Sequence, residues 1–236
     1  MNPLYDIIAF DADDTLWHNE VLYTATEAKF KELLEKYQPV NIVEGKLHQV
    51  EIRNLQYFGY GIKGFTFSMI ETAIELTEGQ IRGAEIQKII DYAREMLEAD
   101  VQLFDHVERT LARLSKSYRL MLVTKGDLLD QEMKIARSGV GDYFSQVEVL
   151  SDKTRESYAR LLAKYDLQPA RFMMVGNSLK SDILPVVEIG GCAVYIPYEN
   201  TWAHENDIAI GGGYFELEHI GLLPEFIDGQ RKKHTV

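Results

Sequence analysis

Residues 5–15 read Tyr-Asp-Ile-Ile-Ala-Phe-Asp-Ala-Asp-Asp-Thr, an apolar run that stops abruptly in a cluster of acidic residues. The apolar part predicts a buried strand, and the polar part predicts a turn at the carboxyl end of that strand. Asp11 and Asp13 lie two positions apart, so both carboxylates can address one bound group if the turn curls inward. The alternative is purely structural, with Asp13, Asp14 or Thr15 capping the next helix.

From residue 119 onward, short apolar strands alternate with helical segments. Strands are predicted at residues 119–123, 147–150, 171–175 and 192–196, and helices at residues 128–138, 154–165 and 182–189. Such alternation is typical of βαβ units, so we expect an α/β fold whose Rossmann-like core holds a parallel sheet covered on both faces. The first strand, at residues 5–10, belongs to the same sheet. An edge strand is predicted at residues 214–218 and a frayed tail at residues 231–236.

Residues 20–99, between the first strand and the alternating region, contain four segments with helical spacing of apolar residues and no strand. Apolar residues of the third segment are Phe67, Ile70, Ala73 and Ile74. Four amphipathic helices in about 80 residues predict a small inserted bundle. The predicted domains are therefore a catalytic core at residues 1–17 and 100–236 and a helical cap at residues 18–99.

Charge and composition exclude several classes of function. The 236 residues include 25 Lys and Arg against 37 Asp and Glu, a net charge of −12, which repels nucleic acid and anionic lipid surfaces. The single cysteine, Cys192, cannot form a disulfide within the chain. No signal-like segment and no apolar window of roughly 18 residues is present. We therefore expect a cytoplasmic protein with neither a nucleic acid polymer nor a membrane as partner.

Polar residues follow each predicted strand of the sheet. Open parallel sheets bind ligands beyond the carboxyl ends of their strands, so these residues are expected to meet Asp11 and Asp13. They are Thr124, Lys125, Lys153, Asn177 and Asp182. Taken singly, each of these residues could instead be a turn, cap or surface residue with no function. Taken together, their carboxylates, hydroxyl and ammonium groups are suited to binding a phosphate and a hard cation.

The order of these motifs resembles the haloacid dehalogenase superfamily of phosphohydrolases over nearly the whole chain. Residues 11–15 resemble its first motif, Thr124 its second, Lys153 its third and residues 176–182 its fourth. The helical block resembles the cap that this family inserts after its first strand. Asp14 stands where Gly is common in this family. Similar sequences with an acid in place of this Gly occur among its nucleotidase-like members, which slightly favours a nucleotide substrate.

The resemblance implies a Mg²⁺-dependent phosphatase that forms an aspartyl-phosphate. Asp11 would be the nucleophile, and Asp13 would protonate the leaving oxygen and later activate water. The implied phosphate-binding residues are Thr124, Lys125 and Lys153. The implied metal-binding residues are Asp11, Asp13 through its carbonyl, Asp182 and Asn177.

Asp13 bears on the type of bond that is cleaved, and Lys125 bears on the charge at the phosphate site. Asp13 favours cleavage of a phosphate ester over a carbon–halogen bond, because halide leaves without a proton. Lys125 stands where the family often has Asn; it either points into solvent, which is the favoured alternative, or adds a second cation at the phosphate.

Substrate specificity is expected from the cap. Residues 56–65 predict a glycine-punctuated aromatic loop between the second and third helices, in which Tyr57 and Tyr60 could stack on a planar leaving group and Lys63 could meet an anion. Trp17 and His18 follow the acidic turn and are further candidates. The alternative is that these residues pack an ordinary turn and a hinge.

The favoured substrate is a small phosphorylated metabolite, with a nucleoside monophosphate first and a sugar phosphate second. One alternative is a phosphomutase or another phosphotransferase of the same superfamily. Another is a non-catalytic phosphometabolite-binding protein, whose hallmark would be loss of Asp11 or Asp13; both are present. The oligomeric state is left open between monomer and homodimer.

Overall fold

The computed structural model describes residues 4–199 and 212–233. Within them, six strands form one sheet in the order β3-β2-β1-β4-β5-β6, and every neighbouring pair is parallel. The strands are β1 (Ile7–Phe10), β2 (Arg119–Lys125), β3 (Gln146–Leu150), β4 (Phe172–Gly176), β5 (Cys192–Tyr195) and β6 (Phe215–Glu216). The predicted α/β fold with a parallel sheet is confirmed.

Both faces of the sheet are buried, which explains the uninterrupted apolar character of its central strand. Along β1, Ile8 and Phe10 pack into one hydrophobic cluster, whereas Ile7 and Ala9 pack into another. Strands β2 and β4 divide their side chains between the same two clusters. Burial on both faces fixes the register of β1 against its neighbours, and therefore the position at which each strand ends.

The helices are α1 (Glu20–Leu34), α2 (Val40–Phe58), α3 (Ile62–Leu76), α4 (Gly83–Glu98), α5 (Val107–Leu114), α6 (Leu128–Ser138), α7 (Arg155–Lys164), α8 (Leu184–Glu188) and α9 (Leu223–Lys233). Sequence patterns did not predict α5 or α9, and the tail expected to fray from residue 231 remains helical to Lys233. A π-helical turn, Leu179–Ile183, precedes α8 where one helix was expected. None of the described helices is long and apolar enough to cross a membrane.

The chain divides into two compact units by its contacts. One contains Met1–Glu20, Val101–Lys125 and Met133–Val236, and the other, here called the helical unit, contains Val21–Asp100 and Gly126–Glu132. The segment Gly126–Glu132 lies in the predicted core by sequence but groups with the helical unit. One reason is an ion pair within that unit, in which the Lys63 ammonium donates to both carboxylate oxygens of Asp127 at 2.9 and 3.0 Å.

The buried face of α3 differs in part from the predicted apolar stripe. Phe67 and Ile74 of that stripe are 51% and 45% exposed, whereas Ala73 is buried as predicted, together with Met69 and Ser68. Small residues explain the difference. A Cβ on Gly64 would lie 2.7 Å from the Gly59 carbonyl oxygen, so this side of α3 packs too closely for a larger residue. The Ser68 hydroxyl donates to the Gly64 carbonyl at 2.9 Å, which allows its burial.

Two phenylalanines of the helical unit give a matched test of this core. Phe30 on α1 is fully buried, and Phe67 on α3 is half exposed. We expect Phe30→Ala to lower the free energy of unfolding by about 3–5 kcal/mol, since it leaves a cavity. Phe67→Ala should cost less than about 1 kcal/mol, chiefly through its ring contact with Phe58. Urea unfolding of both variants measures the difference, and equal losses would contradict the observed exposure of Phe67 on α3.

Candidate active site

The strand order reverses at β1, which has β2 on one side and β4 on the other. In an open parallel sheet, ligands bind at such a switch point, beyond the carboxyl ends of the strands. Asp11 directly follows β1, and its backbone N–H donates to the Val175 carbonyl of β4 at 2.9 Å. Asn177 directly follows β4. The acidic turn and the fourth motif therefore meet at this position.

A buried ion-pair network joins three of the predicted residues. The Lys153 ammonium, which follows β3, donates to Asp11 Oδ1 and to Asp182 Oδ1, the latter at 2.7 Å. Lys153 is only 3% exposed, and both carboxylates are buried as well. The ion pair between Asp11 and Lys153 therefore joins side chains that lie 142 positions apart in sequence.

Burial and neighbouring charges shift the pKa values of Lys153 and Asp182 in this network. Burial disfavours the Lys153 ammonium, but the carboxylates of Asp11 and Asp182 outweigh it and raise the lysine pKa above its ordinary value. Burial and the Asp11 charge raise the pKa of Asp182, and Lys153 offsets only part of that effect. Two buried carboxylates facing one ammonium thus leave room for further positive charge.

The position of Asp182 depends on a glycine. A Cβ on Gly176 would lie 2.3 Å from Asp182 Oδ2, so only glycine at the end of β4 allows this carboxylate to approach. The Ser178 backbone N–H donates to the same oxygen at 3.0 Å, and the Ser178 hydroxyl accepts the Ser181 N–H at 3.0 Å. The π-helical turn therefore fixes Asp182 against the sheet.

Thr15 and Asn177 contact the second carboxylate oxygen of Asp11, Oδ2. The Thr15 hydroxyl donates to Asp11 Oδ2 at 2.8 Å. In the amide orientation that satisfies its neighbours, the Asn177 side chain donates to Asp11 Oδ2 at 3.2 Å and to the Asp13 carbonyl at 3.3 Å. Sequence reasoning considered Thr15 only as a cap, because its bond to Asp11 depends on how the turn curls.

The oxygen atoms gathered here suit a hard divalent cation. The Asp11 and Asp182 carboxylates and the Asp13 carbonyl are the kinds of ligand that Mg²⁺ takes, and Mg²⁺ keeps several waters of its own. Among the residues that the structure describes, no cluster of three or more His, Cys, Asp or Glu side chains could hold a metal. Asn177, which directly follows β4, brings an amide to this set and adds no carboxylate.

The Asp13 carboxylate accepts hydrogen bonds from an indole and from an ammonium. The Trp17 indole N–H donates to Asp13 Oδ1 at 2.7 Å, and the Lys134 ammonium on α6 donates to both oxygens at 2.8 Å. Trp17 is 1% exposed and packs in the core, which agrees with the hinge-packing alternative for this residue. His18 packs on Phe104, with ring centroids 3.9 Å apart. Lys134 has no motif and was missed by sequence reasoning.

Thr124 and Lys125 end strand β2. Thr124 is buried, with its hydroxyl 3.5 Å from the Lys125 carbonyl. The Lys125 ammonium donates to the Ser181 hydroxyl at 2.9 Å, next to Asp182 in sequence. The expectation that Lys125 points into solvent is therefore wrong; its charge lies beside the fourth motif.

The predicted specificity residues of the cap lie in the helical unit. The expected loop at residues 56–65 is only a three-residue connection between α2 and α3, because Tyr57 belongs to α2 and Lys63 to α3. Tyr57 is 72% exposed, Tyr60 lies in the connection, and the Lys63 ammonium is paired with Asp127. Lys63 therefore already has an anionic partner within its own unit.

Asp14 has a structural role that explains why it replaces glycine. Its φ of 61° lies in the left-handed region, which Gly adopts freely and Asp tolerates. Its carboxylate accepts the backbone N–H groups of Asn19 at 2.9 Å and Glu20 at 3.1 Å, at the start of α1. Burial raises the pKa of Asp14 to about 7, although these two donors oppose the shift. A capping role removes the reason to connect Asp14 with nucleotide substrates.

Comparison with known proteins gives the class of the chain. The haloacid dehalogenase-like hydrolase family model matches residues 5–190. A haloacid dehalogenase-like family hydrolase from Xanthomonas campestris has a similar structure, with a TM-score of 0.84 and 38% identity, and the alignment covers 98% of this chain and 100% of that one. The chain therefore belongs to the haloacid dehalogenase-like hydrolase family, and the resemblance drawn from its motifs is confirmed.

Two curated relatives are named phosphatases. The glyceraldehyde 3-phosphate phosphatase of Methanothermobacter thermautotrophicus is 30% identical over 132 residues, which cover 52% of this chain and 58% of that enzyme. The human N-acylneuraminate-9-phosphatase is 30% identical over 122 residues, which cover 48% of each chain. The chain thus spans about half the length of the curated relatives it matches.

Substitution of Asp14 tests its capping role. Asp14→Ala removes the acceptor for two N–H groups and places at a positive φ a residue that tolerates the left-handed region less well than Asp, so we expect the free energy of unfolding to fall by about 2 kcal/mol. Asp14→Asn keeps an acceptor and tolerates the left-handed backbone, so its loss should stay below about 1 kcal/mol. Chemical denaturation compares the two, and indistinguishable losses would argue against the cap.

Proposed function

We propose that this hydrolase is a Mg²⁺-dependent phosphatase that cleaves small phosphomonoesters through an aspartyl-phosphate on Asp11. The observation that carries the proposal is the Lys153 ammonium shared by the buried carboxylates of Asp11 and Asp182. Asp13 lies two residues beyond Asp11 and supplies the second acid that ester cleavage needs. The phosphatase names of the two curated relatives support the same reaction class.

In the first step, an Asp11 carboxylate oxygen attacks phosphorus while the bond between phosphorus and the leaving oxygen breaks. Asp13 gives its proton to that oxygen, so the product leaves as a neutral alcohol. The Thr15 hydroxyl, bonded to Asp11 Oδ2, and the Lys153 ammonium, bonded to Oδ1, fix the orientation of the nucleophile. Thr124 and Lys125 would donate to the phosphoryl oxygens.

In the second step, Asp13 removes a proton from water as that water attacks phosphorus. The bond between phosphorus and Asp11 breaks, which releases inorganic phosphate, regenerates the Asp11 carboxylate and leaves Asp13 protonated. Asp11, Asp182 and the Asp13 carbonyl would hold Mg²⁺. When bound, Mg²⁺ offsets a repulsion of about 4 kcal/mol between the Asp11 carboxylate and each phosphate charge at roughly 4 Å, for an effective dielectric of about 20.

The proposed substrates are small carbohydrate-type phosphates ahead of nucleoside monophosphates. Both curated relatives are named for phosphate esters of carbohydrate-type alcohols. The features that favoured a nucleotide are weaker in the structure, since Asp14 caps α1 and Tyr57 is a largely exposed residue on α2. A metabolite panel is therefore the direct test of substrate class.

Phosphate release from purified protein tests the reaction. With Mg²⁺, we expect release from sugar phosphates at higher kcat/KM than from nucleoside monophosphates, and no release after EDTA until Mg²⁺ is restored. Asp11→Asn should lower kcat by about 10³-fold or more, because an amide is a poor nucleophile of nearly the same shape.

Circular dichroism and thermal unfolding provide the control that Asp11→Asn remains folded. Substantial turnover by this variant would refute the covalent role of Asp11. Release of an isomerised phosphate ester in place of inorganic phosphate would instead favour a mutase.

The two lysines at the strand ends should differ in importance. Lys153→Met leaves two buried carboxylates without their ammonium, so kcat/KM should fall by about 10²–10³-fold and the protein should lose about 3–5 kcal/mol of stability. Lys125→Met removes a half-buried ammonium from Ser181, and we expect a loss below about tenfold. Steady-state kinetics on one sugar phosphate ranks them, and the reverse ranking would show that Lys125 is the main phosphate cation.

A further inference from the structure

We propose that Lys134 is the positioning residue for the Asp13 carboxylate, and that it acts in the proton transfer to the leaving oxygen. The inference rests on the proposed phosphatase reaction and adds a residue that lies outside all four motifs. Its basis is an ion pair between α6 and the turn after β1, two elements 121 residues apart in sequence.

The geometry of this ion pair is closely defined. The Lys134 ammonium lies 2.8 Å from Asp13 Oδ1 and 2.8 Å from Oδ2, and it also donates to Asn19 Oδ1 at 3.2 Å. The lysine side chain is 10% exposed and the Asp13 side chain 22%. A mostly buried ammonium with these bonds is fixed more firmly than a surface lysine, whose ion pairs contribute little.

Trp17, in the same turn as Asp13, also contacts the Asp13 carboxylate. Its indole N–H donates to Asp13 Oδ1, and the Asp14 backbone N–H donates to the Trp17 carbonyl at 2.8 Å, which closes the turn. The indole is packed in the core and cannot follow a moving carboxylate. Asp13 is therefore held between a rigid turn and the helix that carries Lys134.

Such positioning matters for a group that must reach the leaving oxygen. An aspartate side chain rotates about two bonds, and a displacement of roughly 1 Å can lower a rate by about 10²-fold. When Asp13 gives up its proton, negative charge forms on its carboxylate, and the Lys134 ammonium is already in place to stabilise it. Lys153 serves the nucleophile in the same way, so each of the two acids has its own lysine.

Comparing two substrates with different leaving groups distinguishes a role in proton transfer from a purely structural role of Lys134. Benzyl phosphate needs a proton on its leaving oxygen, whereas p-nitrophenolate leaves readily without one. Lys134→Met keeps the length of the side chain and removes its charge. We expect it to lower kcat/KM for benzyl phosphate at least about tenfold more than kcat/KM for p-nitrophenyl phosphate. The constant kcat/KM excludes the later attack of water, which is common to both esters.

Matched variants complete the experiment. Lys134→Arg retains a cation and should recover part of the benzyl phosphate activity. Arg137→Met removes an exposed cation one turn further along α6, where its Nε donates to the Met133 carbonyl, and should leave the ratio of the two substrates unchanged. In an Asp13→Asn background, Lys134→Met should cause no further loss on benzyl phosphate, since Lys134 acts through Asp13.

The outcomes separate the two proposals. If the wild-type protein hydrolyses both esters and Lys134→Met lowers both equally, or raises activity on benzyl phosphate, the positioning role is overturned and the phosphatase reaction stands. If the wild-type protein with Mg²⁺ hydrolyses neither benzyl phosphate, p-nitrophenyl phosphate nor any sugar phosphate, the phosphatase proposal fails and the role of Lys134 fails with it.

Discussion

A lysine ammonium enclosed by two carboxylates is the interaction on which the candidate site depends. Lys153 contacts Asp11 and Asp182, which reach it from the ends of different strands. Loss of Lys153 would leave two buried carboxylates with no ammonium to balance them, and such losses typically cost several kcal/mol. The network forms only if the parallel sheet brings these strand ends together, so the packing of β1 on both faces and the chemistry of the site are parts of one constraint.

The sheet was predictable because its central strands β1, β2 and β4 are buried on both faces. The apolar runs of these strands end where polar residues begin, and a parallel sheet follows from the alternation of strands with helices. The buried face of α3 was not predictable in the same way. Counting apolar residues selected Phe67, whereas close packing at Gly64 and a hydroxyl bond from Ser68 turn a different side of the helix inward.

In the candidate site, residues that directly follow a strand could be predicted from their position in the sequence. Position was not enough for residues whose role depends on a partner far away. Lys134 lies two turns into α6 without any motif, and only the rotation of that helix brings its ammonium to Asp13. Lys125 shows the same limit, since its bond to Ser181 depends on the turn before Asp182.

Asn177 shows how the site departs from a more acidic arrangement. Its amide donates to Asp11 Oδ2 and to the Asp13 carbonyl, so it orients two of the oxygens that would hold Mg²⁺ and adds no negative charge. Under the proposed function, two carboxylates, one ammonium and one divalent cation leave a single positive charge, where a third carboxylate would leave none. A phosphate dianion therefore meets a more attractive field, at the expense of weaker attraction between the protein and the metal.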